Sequence, residues 1–285
     1  MTSPESTELL TFEDILKRVD YVICDSSVFS PAGFNWYMEG VYEARDFAAV
    51  NSRCVRELTE YLKYLDEFFQ NKNIFAVPGV SLELKRVSDM VADKIRYLKL
   101  REKSGKDRKH HNGENKLMLL QEAHDLFHRY HMHTRRISFL PRYKGEYDVL
   151  EKIVMRVTEN TGAKIDLNEV YNTRAKPKNI EDFHADEQAV AASLYLSLAE
   201  NKEAGILTRD SDIRRILVNT LSYLFYSEKS QFNDFLSWIR ANKIEVYFVS
   251  SFQQAKLVFD TDSFCPVRKI SGEVTNNIDS KLNNL

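Results

Sequence analysis

The chain lacks the sequence features of several protein classes. Its three cysteines, Cys24, Cys54 and Cys265, are widely spaced and form no CxxC pair, which predicts neither a disulfide framework nor a thiolate metal site. No apolar run approaches the length of about 18 residues that a membrane span requires. The first residues include acids where a secretory signal has basic and apolar residues. We therefore expect a cytoplasmic protein that neither spans a membrane nor is exported.

The chain also has little net charge. It carries 40 Lys and Arg against 42 Asp and Glu, a formal charge of -2, so any contact with nucleic acid has to rest on local basic clusters. Residues 99–116 form such a cluster, with seven basic residues against three acids. Glycine and asparagine within it predict a loop. Lys106, Arg108 and Lys109 are its candidate contacts to phosphate, and a solvated loop without a ligand is the alternative.

Short apolar runs alternate with helical patterns along most of the chain. The runs typical of strands cover residues 21–25, 73–78, 204–209 and 244–250. Apolar residues at helical spacing predict helices over residues 41–70, 185–200 and 214–226. This alternation favours an α/β domain with a mostly parallel sheet.

One long region interrupts the alternation. Residues 99–178 show no convincing strand pattern and follow a long helical pattern, so we predict a mostly helical insertion there. The α/β domain then comprises residues 12–98 and 179–262. The two ends, residues 1–11 and 267–285, are predicted to be flexible tails because they contain few apolar residues.

Acids stand at four places where an apolar segment meets a helix. Asp25 ends YVICD and Glu83 follows IFAVPG, while Asp186 opens ADEQAVAASL. Asp210 follows AGILTR, with Asp212 two residues later. The carboxyl ends of parallel strands meet at one edge of a sheet, where ligands bind. We therefore expect these acids to face the same side of the molecule.

Each acid taken alone also has a structural explanation, because carboxylates at helix amino ends stabilise a helix by about 0.3 to 1 kcal/mol. Capping is the favoured explanation for Glu83 and Asp186 taken singly, and for Asp212 it stands level with a functional role. It accounts less well for Asp25, where the carboxylate directly follows a buried strand. Several carboxylates in one pocket raise one another's pKa, which a divalent cation relieves. Oxygen ligands alone favour Mg²⁺ or Mn²⁺ over zinc.

The ordered series YVICDSSVF, IFAVPGVSLELKRV, HADEQAVAASL and AGILTRDSDI resembles the PIN-domain nucleases. The resemblance covers roughly residues 18–98 and 180–250 and implies an α/β/α sandwich. It matches Asp25, Glu83, Asp186 and Asp210 to the metal-binding acids of the family, Asp212 to an auxiliary acid, and Ser27 and Thr208 to small hydroxyl positions near the metal. The long insertion departs from the compact members of the family.

The activity implied by the resemblance is Mg²⁺- or Mn²⁺-dependent hydrolysis of single-stranded RNA by metal-activated water. Asp25, Asp186 and Asp210 are expected to bind the metal, and Glu83 is either a ligand or a base that orients water. Candidate contacts to a substrate phosphate are Arg209, Arg214 and Arg215, although a solvated helix face is the alternative for Arg214 and Arg215. Family members often self-associate, so the resemblance also suggests a homodimer.

Two other functions and one other site compete with this interpretation. The chain could be a catalytically silent PIN-like module that binds RNA or protein partners, or a structure-selective DNA nuclease of the flap-endonuclease type. The complete set of acids disfavours the first, and the lack of a helix-hairpin-helix pattern disfavours the second. His124, His128 and His131 share one helical face and could bind a transition metal, but packing or surface roles are favoured.

Overall fold

Six strands form the centre of the computed structural model, which describes residues 8–29, 52–103, 118, 121–122, 124–125, 128–129, 131–132, 144–162, 184–226, 235–251 and 253–265. The strands are β1 (Leu9–Thr11), β2 (Tyr21–Cys24), β3 (Ile74–Phe75), β4 (Ala204–Thr208), β5 (Ile244–Ser251) and β6 (Gln254–Asp260). The longer helices are α1 (Phe12–Arg18), α2 (Ser52–Phe68), α3 (Pro78–Lys103), α4 (Lys144–Thr161), α5 (Ala185–Leu198), α6 (Ser211–Tyr226) and α7 (Phe235–Ala241). A short 3-10 helix, Ser26–Phe29, follows β2.

The six strands form one mixed sheet in the order β1-β6-β5-β4-β2-β3. The four strands from β3 to β5 in this order run parallel, whereas β6 is antiparallel to β5 and β1 is antiparallel to β6. The predicted α/β class is therefore confirmed, and the four predicted strands are β2, β3, β4 and β5. The two antiparallel strands at one side of the sheet were not predicted.

Buried side chains form two clusters, one on each face of the sheet. Successive residues of a strand point to opposite faces, so Leu207 of β4 belongs to a cluster with α1 and α2, whereas Ile206 belongs to a cluster with α4 and α6. Helix α5 contributes to both clusters, through Ala189 and Leu194 respectively. Because α5 contacts both clusters, it lies at the centre of the packing, which explains why 11 of its 14 residues are buried.

The predicted insertion shares this core where the structure describes it. Val154 and Val157 of α4 are fully buried in the same cluster as Ile206. Helix α3 continues to Lys103, past the predicted start of the insertion at residue 99. The described positions between 118 and 132 are also helical, whereas residues 104–117 and 163–178 lie outside the described part of the chain.

The N-terminal tail was predicted too long. Leu9–Thr11 form β1, whose Leu10 is buried and lies opposite Ala255 of β6. Three residues with one buried side chain carry too little periodicity to be recognised as a strand without their partner. The predicted C-terminal tail, residues 267–285, lies outside the described residues. Among the described helices, none combines the length and apolarity of a membrane span.

Candidate active site at the carboxyl edge of the sheet

The site begins where two neighbouring parallel strands end together. Strands β2 and β4 pair in a register that sets Cys24 opposite Leu207. The backbone N–H of Asp25 donates to Leu207 O at 3.0 Å, which extends the pairing by one step. Asp25 and Thr208 therefore leave the sheet side by side at its carboxyl edge.

The Asp25 carboxylate is buried and hydrogen-bonded on both oxygens. Oδ1 accepts from the Ser26 backbone N–H at 2.6 Å. Oδ2 accepts from the Ser27 hydroxyl and, at 2.9 Å, from the Thr208 hydroxyl. The side chain is only 2% exposed, so both hydroxyls fix the orientation of a carboxylate that has almost no contact with solvent.

The loop after β4 is tied to the same group of side chains. Arg209 N–H donates to Ser27 Oγ and Asp210 N–H donates to Thr208 Oγ1, both at 2.8 Å. Asp210 Oδ1 in turn accepts from the Asp212 backbone N–H at 2.8 Å. Asp210 thus caps α6 with one carboxylate oxygen, while the hydroxyls of Ser27 and Thr208 join the two loops into one hydrogen-bonded cluster.

The electrostatics of this cluster are unfavourable for two ionised acids. Burial raises the pKa of Asp25, and the bonds from Ser27 and Thr208 partly oppose that rise. The negative charge of Asp210 raises the pKa of Asp25 further, and Thr208 Oγ1 bonds to both Asp25 Oδ2 and the Asp210 backbone N–H. Burial also raises the pKa of the neighbouring Cys24 thiol.

The other two predicted acids lie on helices that pack beside this cluster. Helix α5, which carries Asp186 in its first turn, packs against β2 and β4. The 3-10 helix after Asp25 packs against α3, which carries Glu83. One buried cluster includes a sequence neighbour of each acid. Cys24 precedes Asp25, Leu84 follows Glu83, and Ala185 precedes Asp186. Both acids thus lie on helices that adjoin the hydrogen-bonded cluster, which is formed around Asp25 and Asp210.

The donor atoms at this edge fit a hard divalent cation. Asp25 and Asp210 offer carboxylate oxygens, and a cation between them would relieve the repulsion that raises the pKa of Asp25. Within the described ranges, no group of three or more His, Cys, Asp or Glu side chains is arranged to bind a metal ion. Two carboxylates remain a suitable set for Mg²⁺, which often keeps several waters and binds substrate phosphate as well.

The predicted basic residues are distributed differently from the acids. The Arg209 guanidinium carbon lies 5.9 Å from the centroid of the Tyr61 ring on α2, and its buried Nε has no hydrogen-bond partner among the described residues. Arg214 and Arg215 are exposed on α6, and Arg215 forms an ion pair with Asp212. Two of these arginines therefore already have partners within the protein. Lys106, Arg108 and Lys109 lie outside the described residues.

Two polar contacts near the acids had no recognisable sequence signal. The Gly79 backbone N–H in the first turn of α3 donates to Gln188 Oε1 of α5 at 2.7 Å. His131 Nδ1 lies 2.8 Å from Ser81 O, so this buried histidine packs on the same helical turn. Both contacts join residues distant in sequence, so only the folded chain reveals them.

Comparison with known proteins does not identify the chain. No protein-family model, curated protein or solved structure matches it. The function therefore has to be inferred from the residues and the geometry of this edge.

Proposed function

We propose that this chain is a Mg²⁺- or Mn²⁺-dependent nuclease with a PIN-like α/β/α fold, which cleaves single-stranded RNA. One observation carries the proposal. The buried Asp25 carboxylate is oriented by Ser27 and Thr208 at the carboxyl edge of the sheet, with the charge of Asp210 beside it. This arrangement keeps two carboxylates together although they repel each other.

The described surroundings of Asp25 provide no positively charged side chain to pair with its carboxylate. Among the described residues, no lysine or arginine forms an ion pair with Asp25, whose interactions are those with hydroxyls, a backbone N–H and Asp210. Buried charges are ordinarily paired or coordinated to a metal. A bound Mg²⁺ or Mn²⁺ would supply that charge, lower the pKa of a water and stabilise the leaving oxygen of a phosphodiester.

The residues of the chain have separate parts in this proposal. In this proposal Asp25 and Asp210 hold the cation, and Asp186 and Glu83, predicted as a third ligand and as a ligand or water-orienting base, would act from the adjoining helices. Ser27 and Thr208 keep Asp25 in its orientation through Oδ2.

A binding module without catalysis is the second candidate function. The observation in its favour is that the described residues contain no group of three or more acidic, histidine or cysteine side chains arranged for a metal. Such a module would bind RNA without cleaving it. The two functions are therefore separated by a cleavage assay combined with a binding assay.

The test uses purified full-length protein with labelled single-stranded RNA, single-stranded DNA and an RNA hairpin, in Mn²⁺, Mg²⁺ or EDTA. Asp25→Asn and Asp210→Asn are compared with Asp262→Asn, which changes an exposed acid paired with Lys243 at the opposite edge. We expect metal-dependent cleavage of single-stranded RNA in wild type and Asp262→Asn, and its loss in the other two. RNA binding without cleavage in wild type would support the binding module. Cleavage that survives both substitutions would refute the proposed site.

A further inference from the structure

The amino end of α3 is capped by a different helix. Pro78 opens α3 and has no N–H, which suits the first helical position, but the preceding Val77 has no polar side-chain atom to accept from the next free N–H. Gln188 Oε1 of α5 accepts that bond from Gly79 at 2.7 Å. A glutamine from α5 therefore accepts a hydrogen bond from a free backbone N–H at the amino end of α3 and joins the two helices.

Gln188 is in turn held by α4. The half-buried Glu151 carboxyl of α4 is influenced by Gln188: burial raises its pKa, and the Gln188 side-chain amide opposes that rise. The Gln188 backbone carbonyl accepts from the Tyr147 hydroxyl at 3.5 Å. The Tyr147 ring packs edge-on against Tyr195 of α5, with ring centroids 6.4 Å apart. Gln188 thus bonds to α3 through its side chain and to α4 through its backbone carbonyl.

The location of this contact connects it with the proposed site. Gln188 lies two residues after Asp186, and Gly79 lies four residues, about one helical turn, before Glu83. A hydrogen bond between these turns limits how far the two helix ends can slide or separate. The bond therefore limits how Glu83 and Asp186 can move relative to each other.

We propose that Gln188 is a positioning residue, which joins the amino ends of α3 and α5 and thereby sets the placement of Glu83 relative to Asp186. This inference rests on the proposed function, because it concerns the acids of that site. Glu151 and Tyr147 of α4 support Gln188 from the region between Glu83 and Asp186. That region accordingly contributes to the geometry of the acid edge as well as to the hydrophobic core.

The test measures Mn²⁺ affinity, which does not depend on turnover. Gln188→Met keeps the length of the side chain and removes the hydrogen bond to Gly79. The dissociation constant for Mn²⁺ is measured by titration calorimetry of the whole chain. Loss of an interaction that orients metal ligands weakens metal binding by about tenfold or more, and we expect a rise of that size. Faster hydrogen exchange of the Gly79 amide should accompany it.

Two control variants separate positioning from general loss of stability. Ser193→Ala removes a buried hydrogen bond that lies within α5, from Ser193 Oγ to Val190 O, and should leave Mn²⁺ affinity unchanged. Glu151→Gln keeps a polar side chain that can interact with the Gln188 amide and should also retain wild-type affinity. Glu151→Leu removes that polar group and should weaken Mn²⁺ binding by less than Gln188→Met.

The outcomes distinguish this inference from the proposed function. Wild-type Mn²⁺ affinity in Gln188→Met, with binding still dependent on Asp25, overturns the role of Gln188 and leaves the proposed function standing. If Gln188→Met does not fold, the measurement is made on Gln188→Leu, which also removes the bond to Gly79, and wild-type affinity there overturns the role instead. If wild-type protein binds no Mn²⁺, or binds it equally after Asp25→Asn, the proposed function fails and the positioning role fails with it.

Discussion

The two ends of the parallel strands both carry acids, but the acids have different surroundings. At the amino edge, the Asp20 carboxylate accepts from the Glu203 backbone N–H at 3.0 Å, and Asp262 forms an ion pair with Lys243 at 2.7 Å. These side chains are largely solvated. At the carboxyl edge, Asp25 is buried and the neighbouring charge that shifts its pKa is that of another acid, Asp210. The presence of acids therefore does not distinguish the two edges, whereas their surroundings do.

Glu245 at the amino edge gives the closest contrast with Asp25. Burial is the largest cause of a raised pKa for both carboxyl groups. Glu245, however, accepts a bond from Tyr247 and has the positive charges of Arg18 and Lys243 nearby, which oppose the rise. The comparison teaches that burial by itself does not indicate a metal site. The sign of the neighbouring charges is the more informative feature.

The largest expected difference between the edges is in stabilisation by metal. A ligand present at about 100 times its Kd raises the free energy of unfolding by about 2.7 kcal/mol. We expect Mn²⁺ to stabilise wild type and Asp262→Asn by this amount, and to leave Asp25→Asn unaffected. Chemical denaturation with and without Mn²⁺ measures the difference. Equal stabilisation of Asp25→Asn would place the metal elsewhere.

The second prediction concerns the stability of the metal-free protein as a function of pH. The pKa of Asp25 is raised above 3.8 in the folded state, so the folded protein retains this proton over a window in which the unfolded chain loses it. Stability from this group therefore falls as pH rises through that window. We expect Asp25→Asn to become more stable relative to wild type as pH rises above 3.8, in EDTA. Denaturation curves at several pH values test this.

Glu245→Gln provides the counterpart at the amino edge. Its carboxyl pKa is also raised, from 4.5, so the same sign of pH dependence is expected. Mn²⁺ should reverse the pH dependence of the stability difference between Asp25→Asn and wild type. It should leave that of Glu245→Gln unchanged. A Mn²⁺ response at Glu245 would contradict the distinction between the edges.

A smaller effect is expected in the reactivity of cysteine. Cys24 is fully buried beside Asp25 and its thiol pKa is raised, whereas Cys265 is exposed. Because the thiolate is the reactive form, iodoacetamide should modify Cys265 before Cys24, which it should reach only when the protein opens. Saturating Mn²⁺ should slow modification of Cys24 without altering that of Cys265. Peptide mapping by mass spectrometry follows both sites.

The smallest effect should come from the exposed ion pair at the amino edge. Exposed pairs contribute at most about 1 kcal/mol to stability, so Asp262→Asn should change the free energy of unfolding by less than this although the pair spans only 2.7 Å. Denaturation at low and at high salt measures the contribution. A change well above this limit would mean that the amino edge has a stronger structural role than its exposure indicates.

The central strands were predictable because strands covered on both faces are continuous apolar runs. YVIC and AGILT have this pattern. Strand β6, QAKLVFD, contains Gln, Lys and Asp and is mostly half-buried, so it lacks such a run. Its antiparallel pairing with β5 depends on the turn between them, and only the folded chain reveals it.

The meeting of Asp25 and Asp210 at one edge was predictable to a similar extent, because each directly follows a buried strand and the ends of parallel neighbours meet in space. Gln188 was not recognised, because a glutamine on a helix has no feature that distinguishes a structural contact from a solvated position. Arg209 was assigned to substrate, whereas its guanidinium lies over the Tyr61 ring, a contact that depends on how α2 packs.

Local sequence determined the alternation of strands and helices and placed an acid at each crucial junction, because those features follow from apolar periodicity within a short segment. Tertiary structure decided which strands are neighbours, that Asp25 is surrounded by hydroxyls and a second carboxylate, and that α4 shares the core of the sheet. Those outcomes depend on contacts between segments far apart in the chain. Their energies depend on burial and on distances between charges, which exist only once the chain has folded.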